Sequence, residues 1–228
     1  MKVVFLHAFP LDERMWAPQL AALEGHEVVA PNLYDLGGNS MDGWAERILG
    51  DLDGDFVAVG ASMGGYVALA LARRAPERVQ ALLLAGARPN ADSAERRAGR
   101  AATIELIEED GAVGLWENQR DKLFGEQAPA DAVELARQIA LSRDRVELQR
   151  AVEAIRDRSD STDVFRAHPV VVALGATDVY FPVDEARVFV EGSPQARLVV
   201  FERSRHLPNL EQPDEFNALL SELLTAAH

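Results

Sequence analysis

The sequence predicts an α/β fold: a mostly parallel sheet covered by helices on both faces and interrupted by one helical insertion. Three observations carry that expectation. Short apolar runs without a polar face recur along the chain, as strands buried on both sides of a sheet require. Helix-type stretches alternate with them, the order that builds parallel crossovers. From about residue 91 to residue 168 no strand-like run occurs.

At 228 residues the chain is one domain, or one domain with an insertion, and its 48% of hydrophobic residues suffice for a large core. The net charge of −14 argues against nucleic acid or an anionic membrane surface as partner. Cysteine is absent, so neither a disulfide framework nor thiolate chemistry is available. Met1 to His7 runs straight into a strand and lacks an apolar leader with a cleavage site. No segment approaches the length that spans a bilayer, and a cytoplasmic location is the expectation.

Taken in order, Lys2 to Leu6 reads as a buried strand, and His7-Ala8-Phe9-Pro10 as the loop after it. Asp12 to Leu23 reads as a helix with Trp16, Leu20 and Leu23 on one stripe at i, i+4 and i+7. Glu27 to Ala30 is a second strand, Asp35 to Ser40 a loop, and Trp44 to Leu52 a short helix. Phe56 to Val59 is a third strand. Tyr66 to Ala72 is nearly all apolar but rich in Ala and Leu, which suits a buried helix. Pro76 marks its end, because proline inside a helix loses a hydrogen bond and clashes. Val79 to Ala85 is a fourth strand.

Composition then changes. Charged, Ala-rich amphipathic stretches cover about 93–110, 112–124, 131–142 and 145–158, with Gly111 and Gly125 where helices are expected to stop. Pro169 to Leu174 resumes the sheet, followed by Gly175-Ala-Thr-Asp178. A helix over 184–190, a last strand at Leu198–Phe201, a loop at 204–208 and a terminal helix over 213–226 complete the chain. The sheet core is therefore 1–87 with 169–228, and the insertion is 88–168.

Gly60-Ala61-Ser62-Met63-Gly64-Gly65 lies between the third strand and its helix. A serine in so tight a turn takes a strained backbone conformation and needs small neighbours. Its hydroxyl is lifted out of the turn, and backbone N–H groups face the helix N-terminus, where developing negative charge is favoured. A dinucleotide loop would instead need a spaced G-x-G-x-x-G and an acid closing the next strand. Ala81 to Gly86 ends without one, and no phosphate-binding G-K-[S/T] is present.

Ser62, Asp178 and His206 fall after the carboxyl ends of three expected strands, where open α/β sheets bind ligands. A serine hydroxyl is a weak nucleophile, so a histidine must take its proton and later return it. A carboxylate behind the histidine fixes its tautomer and steadies the imidazolium. Each residue alone has an ordinary explanation: aspartate favours turns, and a lone loop histidine is commonly just solvated. Of the other histidines, His7 is expected to brace the loop after the first strand. The slot after Ala85, where another acid could sit, holds Arg88-Pro89-Asn90, which leaves Asp35 as the second choice. An oxyanion hole needs two backbone donors. Met63 N–H and Phe9 N–H are expected, since Pro10 has no proton to give. No H-E-x-x-H or clustered His/Asp pattern occurs, and His206 with Glu211 does not make a metal site. Neither metal nor cofactor is expected.

These residues resemble the α/β-hydrolase superfamily over nearly the whole chain. The resemblance rests on His7-Ala8-Phe9-Pro10, similar to a His-Gly-x-Pro oxyanion loop, and on Gly60-Ala-Ser62-Met-Gly64-Gly65. It rests also on Gly175-Ala-Thr-Asp178 and on His206-Leu-Pro-Asn-Leu-Glu-Gln-Pro213 before the last helix. It implies that 88–168 is a helical cap over the site, in the manner of small carboxylesterases, enol-lactonases and pimeloyl-carrier methyl-ester esterases. The chain departs from the pattern at Ala8, where glycine is usual. At Tyr34 to Ser40 an often-seen histidine is missing, and Ser204-Arg205 stand where small glycines are common.

The expected function is a serine hydrolase that cleaves a small-molecule carboxylic ester of a small to medium acyl group through an acyl-enzyme. The expected pocket walls are Trp116, Phe124, Tyr180 and Leu207, with Met63 beside them. Two other classes fit the same residues: a lyase of the hydroxynitrile-lyase type or a C–C hydrolase, and a non-catalytic ligand-binding protein.

Overall fold

Six apolar runs become six parallel strands of one sheet, in the order β2-β1-β3-β4-β5-β6. They are β1 (Lys2–Leu6), β2 (Glu27–Val29), β3 (Phe56–Ala61), β4 (Val79–Ala85), β5 (Val170–Gly175) and β6 (Ala196–Phe201). The computed structural model describes residues 1–23 and 25–227; Glu24 and His228 lie outside the described residues. β3 and β5 are buried at every position, whereas the outer strands β2 and β6 are largely half-exposed. Continuous apolar runs in the middle of the sheet follow from having both faces covered.

Alternation divides the interior in two. Val57, Val59 and Ala61 of β3 join Trp16, Phe216 and Leu223 on one face. Phe56 and Ala58 join Trp44 and Val67 on the other. Trp16 comes from the turn Glu13–Trp16, and the helices supplying the other partners are α2 (Met41–Gly50), α3 (Met63–Arg74) and α10 (Pro213–Ala226). Met63 to Ala72 of α3 is buried throughout, which explains a helix built of Ala, Leu and Gly. A Cβ on Gly64 would stand 1.9 Å from the Leu6 carbonyl oxygen. Only glycine lets α3 approach the end of β1 so closely.

The stretch 12–23 differs from its expectation. A 3-10 turn, Glu13–Trp16, leads into α1 (Ala17–Leu20), which lasts one turn. Pro18 lies in that first turn, so the two pieces do not share one hydrogen-bond ladder. Trp16 is buried, but Leu20 is 39% exposed, and the single stripe is not realised. α2 begins at Met41 rather than Trp44, because the Ser40 hydroxyl accepts the Gly43 N–H at 3.1 Å and caps it. Pro208–Glu211, partly read as loop, forms the one-turn helix α9.

Between β4 and β5 lie α4 (Ala94–Leu123), α5 (Ala130–Leu141), α6 (Arg145–Arg156) and the unanticipated α7 (Thr162–Ala167). α4 is two helices joined at Gly111, whose φ of 63° and ψ of −152° break the ladder where the sequence placed a stop. α6 starts on a capping box formed by Asp144 and Glu147. α8 (Val183–Glu191) completes the set. Among the described residues no helix is long and apolar enough to cross a membrane.

Strand order reverses between β1 and β3, so the loops after these two strands open from a common crevice. Gly64→Ala is expected to lower stability by about 3 kcal/mol or more, since backbone must move. Urea denaturation checks this. A wild-type midpoint would mean that α3 can withdraw from β1 at no cost.

Candidate active site

Ser62 is the turn between β3 and α3. Its φ of 48° and ψ of −112° make it the one non-glycine residue with positive φ among the described residues. Such backbone costs on the order of 1–3 kcal/mol and persists only when its surroundings fix it. Here Ser62 N–H donates to Ala85 at 2.7 Å, and its carbonyl accepts from Gly65 at 3.0 Å. The neighbours Ala61 and Met63 are buried, while Ser62 is part-exposed. Among the described residues, neither Met63 N–H nor Phe9 N–H has an acceptor.

Asp178 follows β5, and its turn orients it: Oδ1 accepts the N–H of Tyr180 at 2.8 Å and of Phe181 at 3.1 Å. Oδ2 accepts His206 Nδ1 at 2.8 Å, with both side chains buried. That assigns the proton to Nδ1 and leaves Nε2 for the cavity that His206 and Ser62 both line. Ser62 and His206 make no direct hydrogen bond, and such contacts often tighten only around substrate.

His206 follows β6, the outermost strand, yet lies near β3. The loop after β6 crosses the ends of β5 and β4 to get there. A Cβ on Gly175, closing β5, would stand 2.0 Å from the Arg205 carbonyl oxygen. One on Gly86, just after β4, would stand 2.7 Å from His206 Cε1. Glu211 then clamps the loop. Its Oε1 accepts N–H groups on both sides of the histidine, Arg205 at 2.8 Å and Leu207 at 3.2 Å. Oε2 accepts Gly125 N–H at 2.7 Å, and His206 N–H donates to Leu123 at 3.1 Å. Burial pushes the Glu211 carboxyl up from its ordinary range, against the pull of the three N–H groups.

The cavity holds about 300 Å³. Tyr180 lines it as expected, with its ring centroid 4.7 Å from that of His206 and its hydroxyl donating to Gln119. The other expected pocket residues do not line it. Trp116 and Phe124, 6.4 Å apart, are buried against the core, and Phe124 borders a separate cleft. Leu207 and Met63 are fully buried. α4 instead turns Asn118, Gln119 and Lys122 toward the cavity. Asp35 is exposed on the loop after β2, and the carboxylate that His206 meets is Asp178.

The model of the alpha/beta hydrolase family matches residues 3–219. The chain belongs to that family. Within it, the chain is 29% identical to a pimeloyl-[acyl-carrier protein] methyl ester esterase of Aromatoleum aromaticum, covering 97% of each. It is 25% identical to a putative carbamate hydrolase of Agrobacterium fabrum, over 93% of this chain and 88% of that one. A thermophilic esterase from Thermogutta terrifontis, solved with malate bound, superposes with a TM-score of 0.93 at 30% identity, over 100% of this chain and 90% of that one. These α/β-hydrolase relatives support hydrolase activity on a small molecule.

In this α/β-hydrolase the loop after β1 is braced by His7, which is fully buried. His7 Nε2 accepts Leu33 N–H at 2.9 Å, and Nδ1 faces the Ala8 carbonyl at 3.2 Å. A ring that must accept at Nε2 is neutral, and burial holds its pKa down to about 4. Because the folded value lies below the unfolded 6.5, its contribution is complete above pH 6.5 and is lost as the pH falls toward 4. Between pH 7 and 4, the wild type is expected to lose about 3 kcal/mol more stability than a His7→Gln variant. Denaturation curves at both pH values test this, and equal losses would mean that His7 is charged in the folded protein.

Glu211 was visible in the sequence only as part of a segment, with nothing to tie it to Gly125. In Glu211→Gln an amide NH₂ must face at least one of those backbone N–H groups. The cost is expected to be about 1–3 kcal/mol by urea denaturation. An unchanged midpoint would remove the clamp.

Proposed function

We propose that this chain is a serine esterase that cleaves a small carboxylic ester through an acyl-enzyme. Ser62 Oγ attacks the ester carbonyl carbon while His206 Nε2 takes its proton. Asp178 holds the ring and steadies the imidazolium. The N–H groups of Phe9 and Met63 receive the oxyanion. His206 then gives the proton to the departing alcohol oxygen as the C–O bond breaks. Water attacks the acyl-enzyme with the same histidine as base, releasing the acid and restoring Ser62. The helices of 88–168 serve as a cap over the site. No cofactor takes part.

One observation carries this reading. A single cavity is lined by a serine in strained backbone and by the free edge of a histidine whose other nitrogen is held by a carboxylate at 2.8 Å. The two unpaired N–H groups of Phe9 and Met63 support it further.

Ser62→Ala is expected to fold normally, with kcat on short p-nitrophenyl esters down by about 10⁴ or more. Asp178→Asn, which stabilises the wrong tautomer, is expected to lose a similar factor. Steady-state rates beside circular dichroism decide: turnover in folded Ser62→Ala at the wild-type rate would end this mechanism.

A further inference from the structure

We propose that this cavity selects esters carrying a second, negatively charged carboxylate, and that Arg100 and Lys122 receive it. The proposal rests on the esterase reading above and names its substrate class.

The cavity wall includes four cationic side chains, Arg88, Arg96, Arg100 and Lys122, and no Asp or Glu. Among the described residues, only two carboxylates beyond the wall serve the group. Glu185 takes both Arg88 and Arg96. Asp92, fully buried at its side chain, takes Arg100 at 3.1 Å and the buried Arg158 at 2.8 Å. Lys122 bonds only the neutral amide of Asn118, at 2.8 Å. Asp178 is committed to His206. Positive charge is therefore in local excess in a chain whose net charge is −14.

The helix geometry concentrates that excess. Arg96, Arg100 and Thr103 recur at i, i+4 and i+7 on one face of the first arm of α4, and all line the cavity. Gln119 and Lys122 line it from the second arm, beyond the break at Gly111. Both arms of α4 thus contribute to the same hollow. Arg88 and Arg96 have a structural task, bridging to Glu185 on α8. That task does not account for Lys122. Nor does it account for Arg100, where Nε is tied to Asp92 but neither terminal nitrogen has a partner among the described residues. A guanidinium fixed at Nε presents its remaining donors in the planar fork that a carboxylate accepts. The side chain of Arg100 is 24% exposed, so its charge is only partly screened. A hollow of about 300 Å³ takes a short half-ester and excludes a polyanion.

The test compares kcat/KM for matched esters. Monomethyl glutarate against methyl pentanoate places the charge on the acyl side. O-acetylglycolate against ethyl acetate places it on the alcohol side. At least one anionic ester is expected to be preferred tenfold or more. Its advantage is expected to fall about tenfold in an Arg100→Gln/Lys122→Gln variant, and to shrink in about 0.5 M salt. Lys122→Gln alone, at an exposed position, is expected to lose part of the advantage and serves if the double variant does not fold.

Calorimetry with glutarate gives a readout independent of turnover. Saturable binding to the wild type, weakened at least tenfold in the variants, is expected. Absence of saturable binding, no preference for either anionic ester, or a preference unchanged in the folded variants would overturn the proposal. Hydrolysis of neutral esters without glutarate binding would sink this proposal alone. Glutarate binding without hydrolysis of any ester would sink the esterase reading and leave the anion pocket standing.

Discussion

The contact between His206 and Asp178 constrains everything around it. The carboxylate is fixed by the turn it belongs to, through the N–H groups of Tyr180 and Phe181. The imidazole has no such local support. It sits on a loop that leaves the outermost strand and must reach inward over two others. That path exists because Gly175 and Gly86 leave the strand ends without Cβ atoms, so backbone and ring can lie directly on them. A buried carboxylate, Glu211, replaces the hydrogen bonds such a crossing loop would otherwise lack. It also ties the loop to Gly125, between α4 and α5, so the histidine loop is held from the helices that lie between β4 and β5 as well.

The serine is supported differently. Its strained conformation is locked by a hydrogen bond to the interior strand β4 and by a helix buried along ten residues, Met63 to Ala72. Strain persists where the rest of the structure over-determines it. In the proposed mechanism the attacking group therefore rides on the most rigid part of the sheet. The base rides on a loop that Glu211 clamps on both sides of the histidine.

Much of this was legible because its causes are local. Strands buried on both faces read as apolar runs, and all six runs form strands. Ser62, Asp178 and His206 could be singled out because each was expected after a strand end, a relation that sequence order preserves; the structure bonds Asp178 to His206 and sets His206 and Ser62 on one cavity. The failures have equally definite causes. Pro18 split a helix whose apolar spacing looked continuous. Trp116 and Phe124 were placed at the pocket for their position in the insertion, but the rotational phase of α4 carries Trp116 to the core and turns polar Asn118, Gln119 and Lys122 to the cavity, while Phe124, extended just past the helix end, packs in the same core. Glu211 bonds a residue 86 positions away, and no periodicity reports a distance of that kind.

Charge shows the same divide between composition and place. A net charge of −14 speaks against polyanionic partners, yet the cavity wall is cationic. The two statements act over different ranges. At physiological ionic strength the field of distant surface carboxylates is screened within about 8 Å. A small anion in the cavity therefore responds to the groups that touch it. There the count is decided by pairing: Asp92 and Glu185 each serve two arginines, and among the described residues Lys122 has no carboxylate partner. An acidic overall charge and a cationic cavity wall are thus compatible, because each acts over its own range.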